Sequence, residues 1–210
     1  MRLTYLFDPL CGWCYGAGLA LEQLSQLDNV AVELAPIGLF AGEGARPMDA
    51  SFAAYAWQND QRIARLTGQP FTAAYRNQVL AAAGTMFDSA PATLGLVAVG
   101  LAAPGAELRA LRVLQRARYV DGRNTSELQV VSDVLLEAEF TEAARRVPSP
   151  DEDLLAAYRQ RLGTARADMR QFGAEGVPAL LIGEESERRL LRADALFGGF
   201  EQLTARLQAA

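Results

Sequence analysis

The chain opens on an apolar, aromatic run of strand length, Arg2-Leu3-Thr4-Tyr5-Leu6-Phe7, closed by the turn residues Asp8-Pro9-Leu10. From Cys11 to about Asp28, Ala17, Leu21, Leu24 and Leu27 recur at helical spacing, and Val30 to Leu34 then alternates as a second strand ending at Pro36-Ile37-Gly38. This is a β-α-β opening. Phe40 to Pro47 is rich in Gly and Ala without a period and reads as a connection. Beyond it only helical patterns follow, over about Ala50–Leu66, Phe71–Ala83, Pro91–Leu101, Ala106–Val120 and Ser126–Phe140. Gly68, Gly84, Pro104-Gly105 and Asp121-Gly122 separate them. Thr125-Ser126-Glu127-Leu128 and Ser149-Pro150-Asp151-Glu152 look like capped helix starts, the second opening a long helix to about Phe172.

After Gly173 to Gly176 the pattern returns to strand. Val177-Pro178-Ala179-Leu180-Leu181-Ile182 is a short apolar run, Arg188 to Leu191 is placed to pair with it across a turn at Gly183–Glu187, and Asp194 to Gln208 closes as a helix. The order is β-α-β, a helical block, then β-β-α. With no internal repeat and no low-complexity linker, the block is an insertion (41–149) into a domain made of 1–40 and 150–210.

Composition narrows the chemistry. Half of the 210 residues are hydrophobic, enough for one large domain or a domain with a sizeable insertion. A net charge of −5 and a pI near 4.9 offer nucleic acid and anionic membranes no electrostatic attraction, so neither is an expected partner. All 20 basic residues are arginine, which removes Schiff-base and phosphate-loop lysines. The absence of histidine removes Ser-His-Asp and Cys-His catalysis, haem attachment and most zinc hydrolases. Fold-like sequence begins at residue 2, nothing resembles a secretion signal and no apolar run reaches transmembrane length. The expected location is the cytoplasm, where a lone C-x-x-C is more often catalytic than structural.

The only two cysteines form Cys11-Gly12-Trp13-Cys14. If Cys11 begins a helix, Cys14 stands one turn on, with Cβ atoms about 5–6 Å apart, so a disulfide can open and close with little backbone movement. The unpaired N–H groups and the positive dipole end of a helix start favour a thiolate on the first cysteine. Cys11 is therefore the candidate nucleophile and Cys14 the resolving thiol, with Asp8 or a neighbour as the helix cap and Gly12 shaping the loop. Three blander readings stand beside it. A zinc site would need carboxylates or a second subunit to complete its ligands. A structural disulfide across four residues would constrain the unfolded chain little. Two inert buried thiols are the third.

Phe7-Asp8-Pro9-Leu10-Cys11-Gly12-Trp13-Cys14-Tyr15-Gly16, the turn Arg118-Tyr119-Val120-Asp121-Gly122-Arg123-Asn124 and the late Gly176-Val177-Pro178-Ala179 are the landmarks of a further reading. The chain resembles the DsbA family, within it the FrnE-like cytoplasmic branch, and more distantly the kappa-class glutathione transferases. The resemblance implies an α/β thioredoxin fold with a large inserted all-helical subdomain, and a thiol-disulfide oxidoreductase or isomerase in which Cys11 and Cys14 exchange disulfides with protein or low-molecular-weight thiols. It implies no bound cofactor, with glutathione as a redox partner. Carried onto this sequence, Pro178 is the cis-proline lying against Cys11, and Val177 offers its backbone to an extended substrate. The sequence departs from related proteins at two points. Tyr5 stands where many thioredoxin-like proteins carry a buried acid, and Gly12-Trp13 lacks the histidine of strongly oxidising relatives. A weak-to-middling oxidant is the expectation.

Other features admit two readings each. Arg109, Arg112 and Arg116 share a helical face with Arg118 and Arg123 close behind, either a solvated stripe or a site for an anionic ligand such as the carboxylates of glutathione. Most aromatic residues, Tyr75 among them, read as core, whereas Trp13, lying between the cysteines, reads as a border of the substrate surface. Two functional alternatives remain: a kappa-class glutathione-transferase or isomerase-like enzyme, for which Cys14 would be dispensable, and a non-enzymatic binding module regulated by the disulfide.

Overall fold

The computed structural model describes residues 1–184 and 187–208. Strand β1 (Arg2–Phe7) is buried along all but its first residue, which is why it reads as a continuous apolar run rather than an alternating one. It pairs in parallel with β2 (Ala31–Pro36) and antiparallel with β5 (Ala179–Ile182), and β5 pairs antiparallel with β6 (Arg189–Leu191). The sheet order is β2-β1-β5-β6. The turn expected at 183–187 includes residues 185 and 186, which lie outside the described residues.

Alternation along β1 divides its side chains between two faces. Leu3, Tyr5 and Phe7 pack with Leu180 and Ile182 against Leu21 and Leu24 of α2 (Gly18–Ser25) and Leu203 and Leu207 of α10 (Phe200–Gln208). On the other face Leu6, Ala179 and Leu181 meet Ala165 and Met169 of α9 (Glu152–Phe172). Arginines pin α9 there. Arg166 donates to the carbonyls of Ile37 and Gly38 at 2.7 and 3.0 Å, and Arg188 forms a two-pronged pair with Asp168 at 2.9 and 2.6 Å. Asp151 caps α9 by accepting from the Leu154 N–H at 2.8 Å, as its Ser-Pro-Asp-Glu start suggests.

The inserted segment is almost wholly helical: α3 (Ala50–Thr67), α4 (Ala73–Tyr75) running into a wide turn at Arg76–Leu80, α5 (Ala90–Ala102), α6 (Glu107–Tyr119), α7 (Leu128–Glu137) and α8 (Thr141–Arg146). It also holds a two-residue ladder, β3 (Arg46–Pro47) on β4 (Met86–Phe87), so the all-helical expectation needs that correction. Two residues per strand are too few to show a period in sequence. The helix expected over Ser126–Phe140 begins later and ends earlier, at Leu128–Glu137, and α8 follows as a separate element. The Ser126 hydroxyl does not cap α7; it accepts from the Asp88 N–H at 3.2 Å. The first helix is likewise two pieces, α1 (Gly12–Gly16) and α2, joined at Ala17.

Helix α5 is apolar all round and buried, and it sits at the centre of the insertion. The hydrophobic core runs without a break from Leu3 and Tyr5 of the sheet through Ile63, Tyr75 and Tyr119 to Val131 and Leu135. Gly122 locks one edge of this arrangement, since its φ is +72° and a Cβ there would come within 2.8 Å of the Ala74 backbone. Gly122→Ala is expected to cost roughly 2 kcal/mol or more, from the left-handed backbone together with the overlap. A urea-unfolding midpoint equal to that of the wild type would contradict this packing.

Candidate functional site

Helix α1 starts at the end of β1, where the chain turns through Asp8-Pro9-Leu10. Cys11 is itself the N-cap residue, with extended backbone and no side-chain capping bond. Asp8, expected as the cap, acts one turn earlier: its carbonyl accepts from the Cys11 N–H at 3.1 Å and its carboxylate accepts from the Leu10 N–H at 2.9 Å. The same carboxylate accepts from the Phe40 N–H at 3.2 Å and from the Ser89 hydroxyl at 2.7 Å. Asp8 therefore ties the cysteine loop to the segment after β2 and to the start of α5. Burial pushes its carboxyl above the usual range, and the Ser89, Leu10 and Phe40 hydrogen bonds pull it back.

The two sulfurs have different surroundings. Cys11 is 8% exposed and its thiol faces the Val177 carbonyl at 3.8 Å, whereas Cys14 is 1% exposed. Both are free thiols. Burial pushes the Cys14 thiol well up, and the neighbouring Cys11, within hydrogen-bond reach, pushes it the same way. The Asp8 N–H facing Cys14 works against this. The Tyr5 hydroxyl donates to the Cys14 carbonyl at 3.2 Å, and burial keeps that phenol neutral. The Val177–Pro178 bond is cis. Trp13 is half-buried, edge-on to Phe197 with ring centroids 5.2 Å apart, and the Arg62 guanidinium lies 5.8 Å above its ring. Cys11, Cys14, Trp13, Val177 and Pro178 thus share one locality, with Gly12 between the sulfurs and Asp8 beneath the loop.

The insertion contributes residues that the sequence did not single out. The Tyr119 hydroxyl donates to the Leu10 carbonyl, immediately before Cys11, at 2.8 Å. Tyr119 packs edge-on to Tyr75, whose hydroxyl donates to Asp60 Oδ2 at 2.9 Å. Arg118 is 1% exposed, between the rings of Tyr75 and Phe87 at 5.9 and 5.0 Å. The turn motif Arg118–Asn124 was visible as a landmark, but only the fold shows that Tyr119 reaches the cysteine loop while Arg118 turns into the core. Asp60 had no signal, being one polar residue in an amphipathic helix. Burial pushes its carboxyl up to about 7, the Tyr75 hydrogen bond and the Arg118 charge working against the rise.

The arginine stripe divides. Arg112 pairs with Glu22, Arg109 donates to the Ala138 carbonyl at 2.7 Å, and Arg116 lies 4.0 Å from Asp121. These three border a cleft of about 600 Å³ between α2 and α6 that Tyr15 and Gln69 also line. Arg118 leaves the stripe for the interior, and Arg123 pairs with Glu137 at 2.6 Å. Among the described residues, no group of three or more His, Cys, Asp or Glu side chains stands where it could hold a metal ion, and no helix is long and apolar enough to cross a membrane.

Comparison with known proteins gives a family match and several structural likenesses. A family model described as a DSBA-like thioredoxin domain matches residues 2–206. The structure of cytosolic disulfide reductase DsbM from Pseudomonas aeruginosa superposes with a TM-score of 0.86 at 29% identity, over 100% of both chains. The same protein with GSH superposes at 0.84 and 32% identity, over 100% of this chain and 98% of that one. A candidate protein disulfide isomerase from Nitrosomonas europaea gives 0.78 at 26%, over 99% and 98%. The structure of 2-hydroxychromene-2-carboxylate isomerase, at 18% identity and 0.62 over 99% and 96%, is a likeness of fold alone. None of the curated protein sequences compared with the chain matches it.

Asp60 makes stability depend on pH. From about pH 4 to about 7 the folded protein retains a proton there that the unfolded chain has lost, so rising pH lowers the unfolding free energy, by up to about 1.4 kcal/mol per unit. Asp60→Asn removes this contribution. Urea unfolding at pH 5 and 7 is expected to show the variant gaining on the wild type as pH rises; a constant difference would place the Asp60 carboxyl in ordinary surroundings.

Proposed function

Because the chain belongs to the DSBA-like thioredoxin domain family and is a thiol-disulfide oxidoreductase, we propose that Cys11 is its attacking sulfur, Cys14 its resolving sulfur, and that it works as a reductase on glutathione-linked or protein disulfides. The observation that carries the reading is the difference between the two sulfurs at one helix start: Cys11 at the N-cap facing the Val177 carbonyl, Cys14 sealed beneath it.

The cycle follows from thiol-disulfide exchange. The Cys11 thiolate attacks one sulfur of a substrate disulfide; that S–S bond breaks, the displaced thiolate takes up a proton, and Cys11 is left in a mixed disulfide. The unpaired N–H groups at the α1 start favour the attacking charge. Cys14, after losing its proton, attacks the Cys11 sulfur and displaces the second substrate thiolate, leaving the Cys11–Cys14 disulfide. Burial disfavours a free Cys14 thiolate, so resolution is favoured only once Cys11 is already engaged. Two glutathione thiols restore the dithiol and leave as glutathione disulfide. Val177 and Pro178 border the substrate backbone beside Cys11, and half-buried Trp13 forms the neighbouring wall.

Glutathione as partner is supported by the DsbM structure with GSH, whose sequence is 32% identical over the whole of this chain. The cytosolic description of DsbM supports a cytoplasmic location here, and the acidic pI offers nucleic acid and anionic membranes no electrostatic attraction. No bound cofactor is required, because the electrons stay on sulfur.

Reduction of insulin and of glutathione mixed disulfides, followed with glutathione as the electron donor, tests the assignment. Cys11→Ser is expected to lower turnover at least 100-fold, in the range seen when a catalytic nucleophile is removed. Cys14→Ser is expected to accumulate a mixed disulfide on Cys11, detectable by mass spectrometry. Undiminished turnover by Cys11→Ser would sink the proposal.

A further inference from the structure

Asp60 stands on α3, inside the insertion, yet its carboxyl reaches the cysteine motif. A Cβ on Gly12 would overlap Asp60 Oδ1 and come within 3.2 Å of Ile63 Cδ1, so the carboxyl rests directly on the residue following Cys11. Oδ2 is held by the Tyr75 hydroxyl at 2.9 Å. Tyr75 packs on Tyr119, and Tyr119 donates to the Leu10 carbonyl. The insertion therefore grips the chain on both sides of Cys11, at Leu10 through a phenol and at Gly12 through an acid. Asp60 is 5% exposed, and among the described residues it has no ion-pair partner within 4.0 Å.

We infer that Asp60 is a positioning residue for the redox pair: its carboxyl, fixed by Tyr75 against the Gly12 backbone, opposes negative charge at the start of α1 and biases the Cys11–Cys14 couple toward giving up electrons. The inference rests on the reading of Cys11 as the attacking sulfur.

The argument is electrostatic. The helix start favours a thiolate through its unpaired N–H groups and positive dipole end. A carboxylate in the same place draws on that field and repels the neighbouring sulfur anion. The disulfide carries no charge and feels little of this, so a charged Asp60 destabilises the reduced form relative to the oxidised one. The opposite arrangement, a stabilised reduced form, makes DsbA a strong oxidant. The groups facing Asp60 are Tyr75 from α4 and Arg118 and Tyr119 from α6, with Gly12, the residue following Cys11, across the contact. Since burial pushes the Asp60 carboxyl up to about 7, it is neutral in acid and charged above neutrality, and its influence grows as pH rises through that region.

Wild-type, Asp60→Asn and Tyr75→Phe proteins are equilibrated with reduced and oxidised glutathione at pH 6 and pH 8, and the ratio of disulfide to dithiol protein is read by alkylation and mass spectrometry. The rate of Cys11 alkylation by iodoacetamide is measured across the same range. At pH 8, Asp60→Asn is expected to lower the oxidised-to-reduced ratio about fivefold, equivalent to a potential about 20 mV higher, and to speed alkylation by a similar factor. At pH 6 the two proteins are expected to differ by less than about twofold. Tyr75→Phe removes a hydrogen bond that favours the carboxylate, so the pH at which the wild-type behaviour sets in moves upward. An Asp60→Asn offset equal at both pH values would reveal packing alone and overturn the inference, as would a Tyr75→Phe profile superimposed on the wild type. If Asp60→Asn does not fold, the Tyr75→Phe profile decides. The equilibrium is measured without turnover, so failure of the Cys11 assignment shows separately in the Cys11→Ser assay.

Discussion

The hydrogen bond from the Tyr119 hydroxyl to the Leu10 carbonyl joins residues 109 apart in sequence at the point where the chain turns into α1. Both groups are buried, so loss of either partner leaves a desolvated polar atom at a cost of about 1–3 kcal/mol. The bond orients the peptide immediately before Cys11, and Asp8 braces the same turn from below through Leu10, Phe40 and Ser89. The helix start that presents the sulfur is thus held by the insertion as much as by the sheet. The two parts of the chain also share one uninterrupted core.

From that constraint follows the division of labour between the sulfurs. A cysteine at an N-cap lies at the mouth of the helix, and one three residues on is carried under the first turn, so a single short helix makes one sulfur reachable and seals the other. Beneath Cys14 a neutral Tyr5 hydroxyl stands in place of an ionisable acid, and it binds the backbone rather than the sulfur. The nearest acids lie elsewhere: Asp8, fully occupied by hydrogen bonds, and Asp60, across the motif on the insertion. Asp60 stands on α3 of the insertion, and its carboxyl rests against Gly12, the residue following Cys11.

Much of this was legible from residue patterns, for local reasons. The strands β1 and β5 are buried on both faces and read as unbroken apolar runs, and α9 carries its own cap in Asp151. The candidate redox pair was legible because two cysteines with C-x-x-C spacing, in a chain without histidine or lysine, leave little other chemistry. The β3–β4 ladder, the division of α1 from α2 and the separate helix α8 were not legible, since short elements lack a period and depend on neighbours for their hydrogen bonds. The arginine stripe looked uniform on its helix, yet Arg118 turns into the core while Arg112 reaches across to Glu22.

By itself the sequence determined the order of the longer elements, the C-x-x-C pair as the candidate redox site and the kinds of chemistry closed to the chain, because composition, period and spacing are properties of neighbouring residues. Only the tertiary structure decided which distant side chains surround the cysteine loop. Asp60, Tyr75, Ser89 and Tyr119 are ordinary residues of helices or their starts until packing removes water from them, and it is that removal of water which turns a carboxyl or a phenol into a group able to hold the cysteine loop.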